Sequence, residues 1–151
     1  MTRAPFVTVV VPACNEEAII TQTLERVVAY LHTIEDQHPW ELIVVDDGSR
    51  DRTGALIDEF APTHPQVRTF HHRVNFNLGQ ALRYAFNNAR GDYIVTLDAD
   101  LSYAPEHIGA LLDAAVAEGA KVVIASPYLK GGRTTAVPFL RRFLSRTSNA
   151  L

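Results

Sequence analysis

The sequence predicts an α/β fold, a three-layer sandwich with a mostly parallel central sheet. Two observations predict it. Strand-like and helix-like segments alternate along the chain. The strand segments are continuous apolar, β-branched runs rather than apolar–polar alternations, the pattern of strands covered on both faces. The length of 151 residues suits one compact domain. An apolar fraction of 47% is too high for a disordered chain.

Phe6-Val7-Thr8-Val9-Val10-Val11, closed by Pro12, reads as the first strand. Asn15 reads as the cap of the following helix, with Glu16 and Glu17 in the first turn, where negative charge is favoured. Ile20, Leu24, Val27, Val28 and Leu31 continue it at helical spacing. Leu42-Ile43-Val44-Val45 is the second strand, stopped by Asp46-Asp47-Gly48-Ser49. Asp51 reads as the cap of the next helix, with Leu56, Ile57 and Phe60 on one side. Val67 to Phe70 is a weaker third strand, and 79–89 looks helical. Asp92 to Leu97 is the fourth strand, ended by Asp98-Ala99-Asp100. Pro105 suits the first turn of a helix reaching about Glu118. Val122-Val123-Ile124-Ala125 reads as a fifth strand. Ser126 to Pro138, with Gly131-Gly132, reads as a loop. Beyond it, Phe139, Leu140, Phe143, Leu144 and Leu151 alternate with Arg141, Arg142 and Arg146 as a basic amphipathic helix of about four turns. The expected organisation is a core over residues 1–129 and a loop with a C-terminal helix over 130–151.

Charge divides the chain. All 17 acidic residues lie at or before Glu118, while Lys121, Lys130, Arg133, Arg141, Arg142 and Arg146 follow it without an acid. A basic tail fits phosphate, a lipid surface or nucleic acid, and equally a solvated basic face. No stretch approaches the roughly 18 consecutive apolar residues of a membrane span, and the start lacks a signal-peptide apolar region. One cysteine, Cys14, excludes a disulfide framework or a Cys-rich zinc site and fits a reducing compartment. No G-x-G-x-x-G follows the first strand, and no P-loop, nucleophile-elbow or H-E-x-x-H motif occurs. His71-His72 reads as a solvated strand end, and Cys14 as a small half-buried side chain rather than a nucleophile.

In an open α/β sheet, ligands bind beyond the carboxyl ends of strands, where strand order reverses. Pro12 to Glu17, Asp46-Asp47-Gly48-Ser49 and Asp98-Ala99-Asp100 all follow predicted strands. If those strands are neighbours, four aspartates share a crevice and need a cation, protonation or a hydrogen-bonding ligand. Asp98 and Asp100 are the sharpest pair. Two carboxylates one residue apart can turn toward one Mg²⁺ or Mn²⁺, which completes its shell with water and substrate phosphates. A helix-capping turn explains the same pair, and ordinary turn chemistry explains Asp46 to Ser49.

Together these residues carry a family resemblance. Val9-Val10-Val11-Pro12-Ala13-Cys14-Asn15-Glu16-Glu17 resembles the V-V-P-A-Y-N-E-E opening of family-two glycosyltransferases. The segment from Val44 to Thr53 resembles their V-V-D-D-G-S-x-D-x-T, and that from Gly91 to Ser102 their G-D-Y-I-V-x-M-D-A-D-L-S. Ser126-Pro127-Tyr128, Gly131-Gly132, and Arg142 to Arg146 with Asn149 resemble the later motifs of dolichyl-phosphate mannosyltransferases.

The resemblance implies a GT-A (Rossmann-like) fold that binds a nucleotide-sugar, GDP-mannose or a UDP-hexose. It implies that Pro12, Cys14, Glu16, Val45 and Asp47 line the nucleoside pocket. Asp98, Ala99 and Asp100 would hold Mg²⁺ or Mn²⁺ and the diphosphate, with Ser102 a further metal ligand. Arg142 and Arg146 would approach the phosphates. The implied reaction is inverting hexose transfer to a polyprenyl or dolichyl phosphate, with Asp98, Asp100 and Arg142 as the catalytic groups. The implied setting is cytoplasmic, peripheral at a membrane surface, with no nucleic-acid partner. Cys14 stands where the family has Tyr, Pro127 replaces the Arg of S-R-Y, and Gln80 replaces Lys or Gly. Members of this branch continue past the position of Leu151, so the chain is expected to cover their N-terminal, donor-binding part. A nucleotide-sugar-binding or subunit- or membrane-docking module without turnover is the alternative.

Overall fold

The computed structural model describes residues 4–125. Strands β1 (Val7–Ala13), β2 (Trp40–Asp46), β3 (Val67–His71) and β4 (Tyr93–Thr96) alternate with helices α1 (Ile20–Ile34), α2 (Thr53–Phe60), α3 (Leu78–Asn88) and α4 (His107–Glu118). The sheet order is β3-β2-β1-β4, and every pairing is parallel. The chain steps outward from β1 to β3, then returns to place β4 on the other side of β1. Right-handed crossovers put helices on opposite faces when the direction of travel reverses. Accordingly α1 and α2 pack on one face with α4, over Val9, Val11, Leu42 and Val44. The return helix α3 packs on the other, laying Ala81 and Ala85 over Val10, Ile43 and Val45. The expected three-layer sandwich is present.

Three local expectations change. Val122 to Ala125 does not form the expected strand among the described residues: it has no ladder partner there, and Val122 and Ile124 are 76% and 78% exposed. They line one groove with β4 instead. β-branched composition specifies an extended backbone, but a strand also needs a neighbour's N–H and C=O groups. Asn15 does not cap α1, which begins at Ile20; it adopts φ +57 and bonds elsewhere. Asp51 does serve the start of α2, its Oδ1 accepting the Thr53 N–H at 3.0 Å. The loop expected from Ser126 and the basic helix with Arg142 and Arg146 lie outside the described residues. Among the described residues, no helix is long and apolar enough to cross a membrane.

At the amino ends of the strands, on the α3 face, Glu41 is buried beside Thr8. It accepts from the Thr8 hydroxyl at 2.8 Å, the Arg90 N–H at 2.8 Å and Arg68 Nη1 at 3.0 Å. Burial pushes this carboxyl up. The Arg90, Thr8 and Arg68 donors, with the Arg68 charge, outweigh burial and hold it below the ordinary glutamate value. Its contribution to stability is therefore complete above the unfolded-state pKa and lost as pH falls through the lower folded value. Glu41→Gln is expected to cost about 2 kcal/mol in urea unfolding at pH 7, as charge-assisted bonds become neutral ones. The difference from the parent chain should shrink as pH is lowered from about 5 to 3.

Candidate functional site

The sheet reverses order between β1 and β4, and a cleft of about 350 Å³ opens at their carboxyl ends. Pro12, Cys14 and Glu16 form its β1 side, Asp47 comes from the end of β2, and Asp98, Ala99 and Asp100 follow β4. Asn75, Asn77, Leu78 and Ala81, from the approach to α3 and its first turn, close the remaining side. Residues 47, 98 and 100 thus share one cleft although they are far apart in sequence.

Two turns hold the β1 side in shape through five hydrogen bonds. The Asn15 N–H donates to Ser49 Oγ at 2.9 Å, and Asn15 Oδ1 accepts from the Arg50 N–H at 2.8 Å. The Glu16 N–H donates to Thr53 Oγ1 at 2.7 Å. The Glu17 N–H donates to Asp51 Oδ2 at 3.2 Å, and Glu17 Oε2 accepts from the Arg52 N–H at 2.9 Å. The Thr53 hydroxyl and N–H, with the Glu17 N–H, overcome burial to hold the Asp51 carboxyl below its ordinary value. Glu17 and Asp51 are therefore spent on the backbone. The Glu16 side chain has no partner among the described residues and lines the cleft.

Asp46, the last residue of β2, and Asp47, the first after it, diverge, as consecutive residues at a strand end must. Asp46 is not in the cleft. Its Oδ1 accepts from the Ser49 N–H at 3.0 Å, and its Oδ2 faces His71 Nδ1 at 3.2 Å. A Cβ at Gly54 would lie 2.7 Å from Asp46 Oδ2, so a larger residue there would push the Asp46 carboxylate off its partners. His71 Nε2 also meets Asp58 Oδ1 at 2.9 Å. Burial alone would lower the His71 pKa, but the Asp46 and Asp58 carboxylates raise it. Asp47 Oδ1 accepts from His72 Nδ1 at 2.7 Å and the Phe76 N–H at 3.0 Å. The reading of His71-His72 as a solvated strand end holds for His71, the exposed last residue of β3, and fails for His72, which is tied to Asp47. β3 runs parallel beside β2 with His71 opposite Asp46, so His71 meets Asp46 and His72 meets Asp47. Sequence spacing carries no sign of that cross-strand register.

The Asp98–Asp100 turn is pinned from beneath. Buried Thr23 Oγ1 of α1 donates to the Ala99 C=O at 2.7 Å. Leu101 adopts φ +51, its N–H reaching the Asp98 C=O at 3.0 Å. Ser102 stands beside Asp100, its N–H and Oγ–H donating to the two carboxylate oxygens at 2.8 Å each. Val45 is fully buried under α3 and is not among the cleft-lining residues, because its side chain points to the face opposite Val44. Arg142 and Arg146 lie outside the described residues.

Glu16, Asp47, Asp98 and Asp100 give the cleft four carboxylates, and no lysine or arginine is among its lining residues. Such a surface repels a diphosphate unless a cation intervenes. Among the described residues no three His, Cys, Asp or Glu side chains gather as a ligand cluster. Two carboxylates are nonetheless what Mg²⁺ or Mn²⁺ requires when phosphate and water complete the octahedron. The solvent-exposed Asp98 carboxylate has no partner among the described residues, so Asp98 and Asp100 fit such an ion.

The sequence profile of Glycosyl transferase family 2 matches residues 8–150. The chain belongs to that family. A dolichol-phosphate mannosyltransferase of Pyrococcus furiosus is 33% identical over 140 residues, covering 93% of this chain and 38% of its own length. A polyprenol monophosphomannose synthase of Mycolicibacterium smegmatis is 39% identical over 145 residues, covering 93% and 52%. This family 2 chain therefore spans about half or less of the length of these relatives. A Pyrobaculum calidifontis mannosyltransferase, solved with GDP-Man and Mn²⁺, superposes with a TM-score of 0.66 at 27% identity, over 83% of this chain and 37% of that one. The fold is that of the GT-A glycosyltransferases.

The clamp between the two turns sets an expectation for this family 2 domain. Asn15→Ala should cost about 2 kcal/mol in thermal or urea unfolding, from the lost Arg50 acceptor and an alanine at φ +57. Asn15→Gly, which tolerates that φ, should cost about half as much.

Proposed function

We propose that the chain is the donor-binding part of a metal-dependent, inverting glycosyltransferase. It would move a hexose, mannose or glucose, from GDP-mannose or a UDP-hexose to a polyprenyl or dolichyl phosphate. The observation that carries this reading is the meeting of Glu16, Asp47, Asp98 and Asp100 in one cleft at the switch point of the sheet. The named activities of the Pyrococcus and Mycolicibacterium relatives support the acceptor class, and the ligands of the Pyrobaculum structure support the donor and the ion.

In this reading Pro12 and Cys14 wall the nucleoside, and Glu16 and Asp47 accept hydrogen bonds from base or ribose. Val45 backs the pocket from the core. Asp98 and Asp100 hold Mg²⁺ or Mn²⁺ against the diphosphate. The Ala99 backbone sets their spacing, and Ser102 steadies Asp100 rather than ligating directly. When bound, the ion supplies neutralisation of the departing diphosphate. Arg142 and Arg146 are assigned to the phosphates on the resemblance alone. A phosphate oxygen of the acceptor forms a bond to the anomeric carbon as the bond from that carbon to the diphosphate oxygen breaks. The electron pair leaves on the nucleoside diphosphate. The acceptor is already anionic, so no strong general base is required, and positioning and electrostatics supply the rate. A lipid acceptor puts the work at a membrane surface, on the cytoplasmic side.

GDP or UDP with Mn²⁺, at a hundredfold excess over Kd, is expected to stabilise the chain by about 2.7 kcal/mol, several degrees in Tm. Asp100→Ala should abolish the shift. No shift with either nucleotide would overturn donor binding, and a shift without product from any donor–polyprenyl phosphate pair would favour the non-catalytic module. Cys14 is the chain's one thiol and lines the cleft. The same nucleotide excess should slow its alkylation by iodoacetamide at least about tenfold.

A further inference from the structure

His72 does not line the acidic cleft; it lies behind it, on a separate cavity with Phe76, Gln80 and Tyr84. Its side chain is 12% exposed and that of Asp47 5%. The 2.7 Å contact runs from Nδ1 to Oδ1, and an ionised carboxylate only accepts, so Nδ1 carries the proton. The Phe76 N–H occupies the same oxygen. Two donors on Oδ1 and none from the described residues on Oδ2 leave Oδ2 as the acceptor available to a ligand.

The histidine is itself held from three sides. Phe76 and Tyr84 meet its ring edge-on, with centroids 5.3 and 5.4 Å away. Its backbone N–H donates to the Asp46 C=O at 2.9 Å. The segment after it cannot drift, because Val74 and Asn75 sit against Gly48, where a Cβ would lie 2.3 Å from the Val74 carbonyl carbon. The ring, its donor atom and the carboxylate it serves are therefore tied to one another and to β2.

We propose that His72 is a positioning residue for nucleoside recognition. By occupying Asp47 Oδ1 from behind, it holds the carboxylate in the rotamer that presents Oδ2 to an N–H or O–H donor of the nucleoside. The inference rests on the nucleotide-sugar reading above and adds to it a residue that never touches the ligand. Loss of the Nδ1 donor should weaken recognition of the nucleoside and leave the metal–diphosphate side alone, because Asp98 and Asp100 follow a different strand.

The test uses calorimetric titration of the full 151-residue chain with GDP, UDP and pyrophosphate, each with Mn²⁺. His72→Phe keeps an aromatic ring against Phe76 and Tyr84 but removes the donor. His72→Asn returns an amide N–H near the position of Nδ1. His72→Phe is expected to raise the Kd of whichever nucleoside diphosphate binds the parent chain by about tenfold, the size of one charge-assisted hydrogen bond. Pyrophosphate affinity should change by less than about twofold, and His72→Asn should recover most of the loss. Unchanged nucleotide affinity in His72→Phe would overturn the inference alone. So would equal losses of nucleotide and pyrophosphate, or a His72→Asn as weak as His72→Phe, since either marks general disruption. A parent chain that binds neither nucleotide would overturn the donor-site reading, and this inference with it.

Discussion

The structure depends on backbone N–H groups being met by side-chain oxygens across two neighbouring turns. The segments after β1 and β2 carry two acidic residues each, Glu16 and Glu17 and then Asp47 and Asp51, and no lysine or arginine lines the cleft beside them. Left to themselves they would splay into water. Instead Asn15, Glu17, Ser49, Asp51 and Thr53 bind each other's turns, largely side chain to backbone. Five polar residues of the two motifs are consumed in this way. Glu16 lies between two residues whose atoms are tied down, and its own carboxylate is left to line the cleft. Asp47 follows Asp46, which is locked to Ser49 and His71 on the opposite side.

The same economy appears at the end of β4. Asp100 is steadied by Ser102, and the Ala99 carbonyl is fastened to α1 through Thr23. Asn15, Asn77 and Leu101 all take positive φ, and all three lie in the turns that border the cleft. Backbone strain of this kind persists only where surrounding bonds over-determine it, and it gathers at sites that must hold a shape before a ligand arrives. A cleft that concentrates like charge is costly to keep closed, and the cost is met by the hydrophobic layers beneath: Val9, Val11, Leu42 and Val44 on one face, Val10, Ile43 and Val45 on the other.

Much of this was legible in the residues. Continuous β-branched runs separated by helical periodicity announced a parallel sheet with two covered faces, and Asp47, Asp98 and Asp100 were expected to meet at its carboxyl edge. What was not legible has particular causes. Val45 belongs to a nucleoside motif by order but to the core by pleat, and a motif does not say which way a strand residue faces. His72 was mistaken for part of a solvated end because its partner Asp47 is 25 residues away, reached only through β2–β3 register. Asn15 has the composition of a helix cap, yet its backbone is left-handed and its amide serves another turn. Val122 to Ala125 has strand composition, but composition cannot supply a neighbour.

Helix α1 has a consequence that follows from its two attachments. Its approach segment carries Glu16 and Glu17, and its first turn holds the Thr23 hydroxyl that grips Ala99. The nucleoside wall and the diphosphate wall hang from the same strut. A local opening of that helix would dismantle both walls in a single event, so fluctuations of the two should be cooperative, one foldon rather than two. What α1 carries of the two walls then assembles together, while the Asp47 carboxylate, held by His72 and the Phe76 N–H, keeps a support of its own.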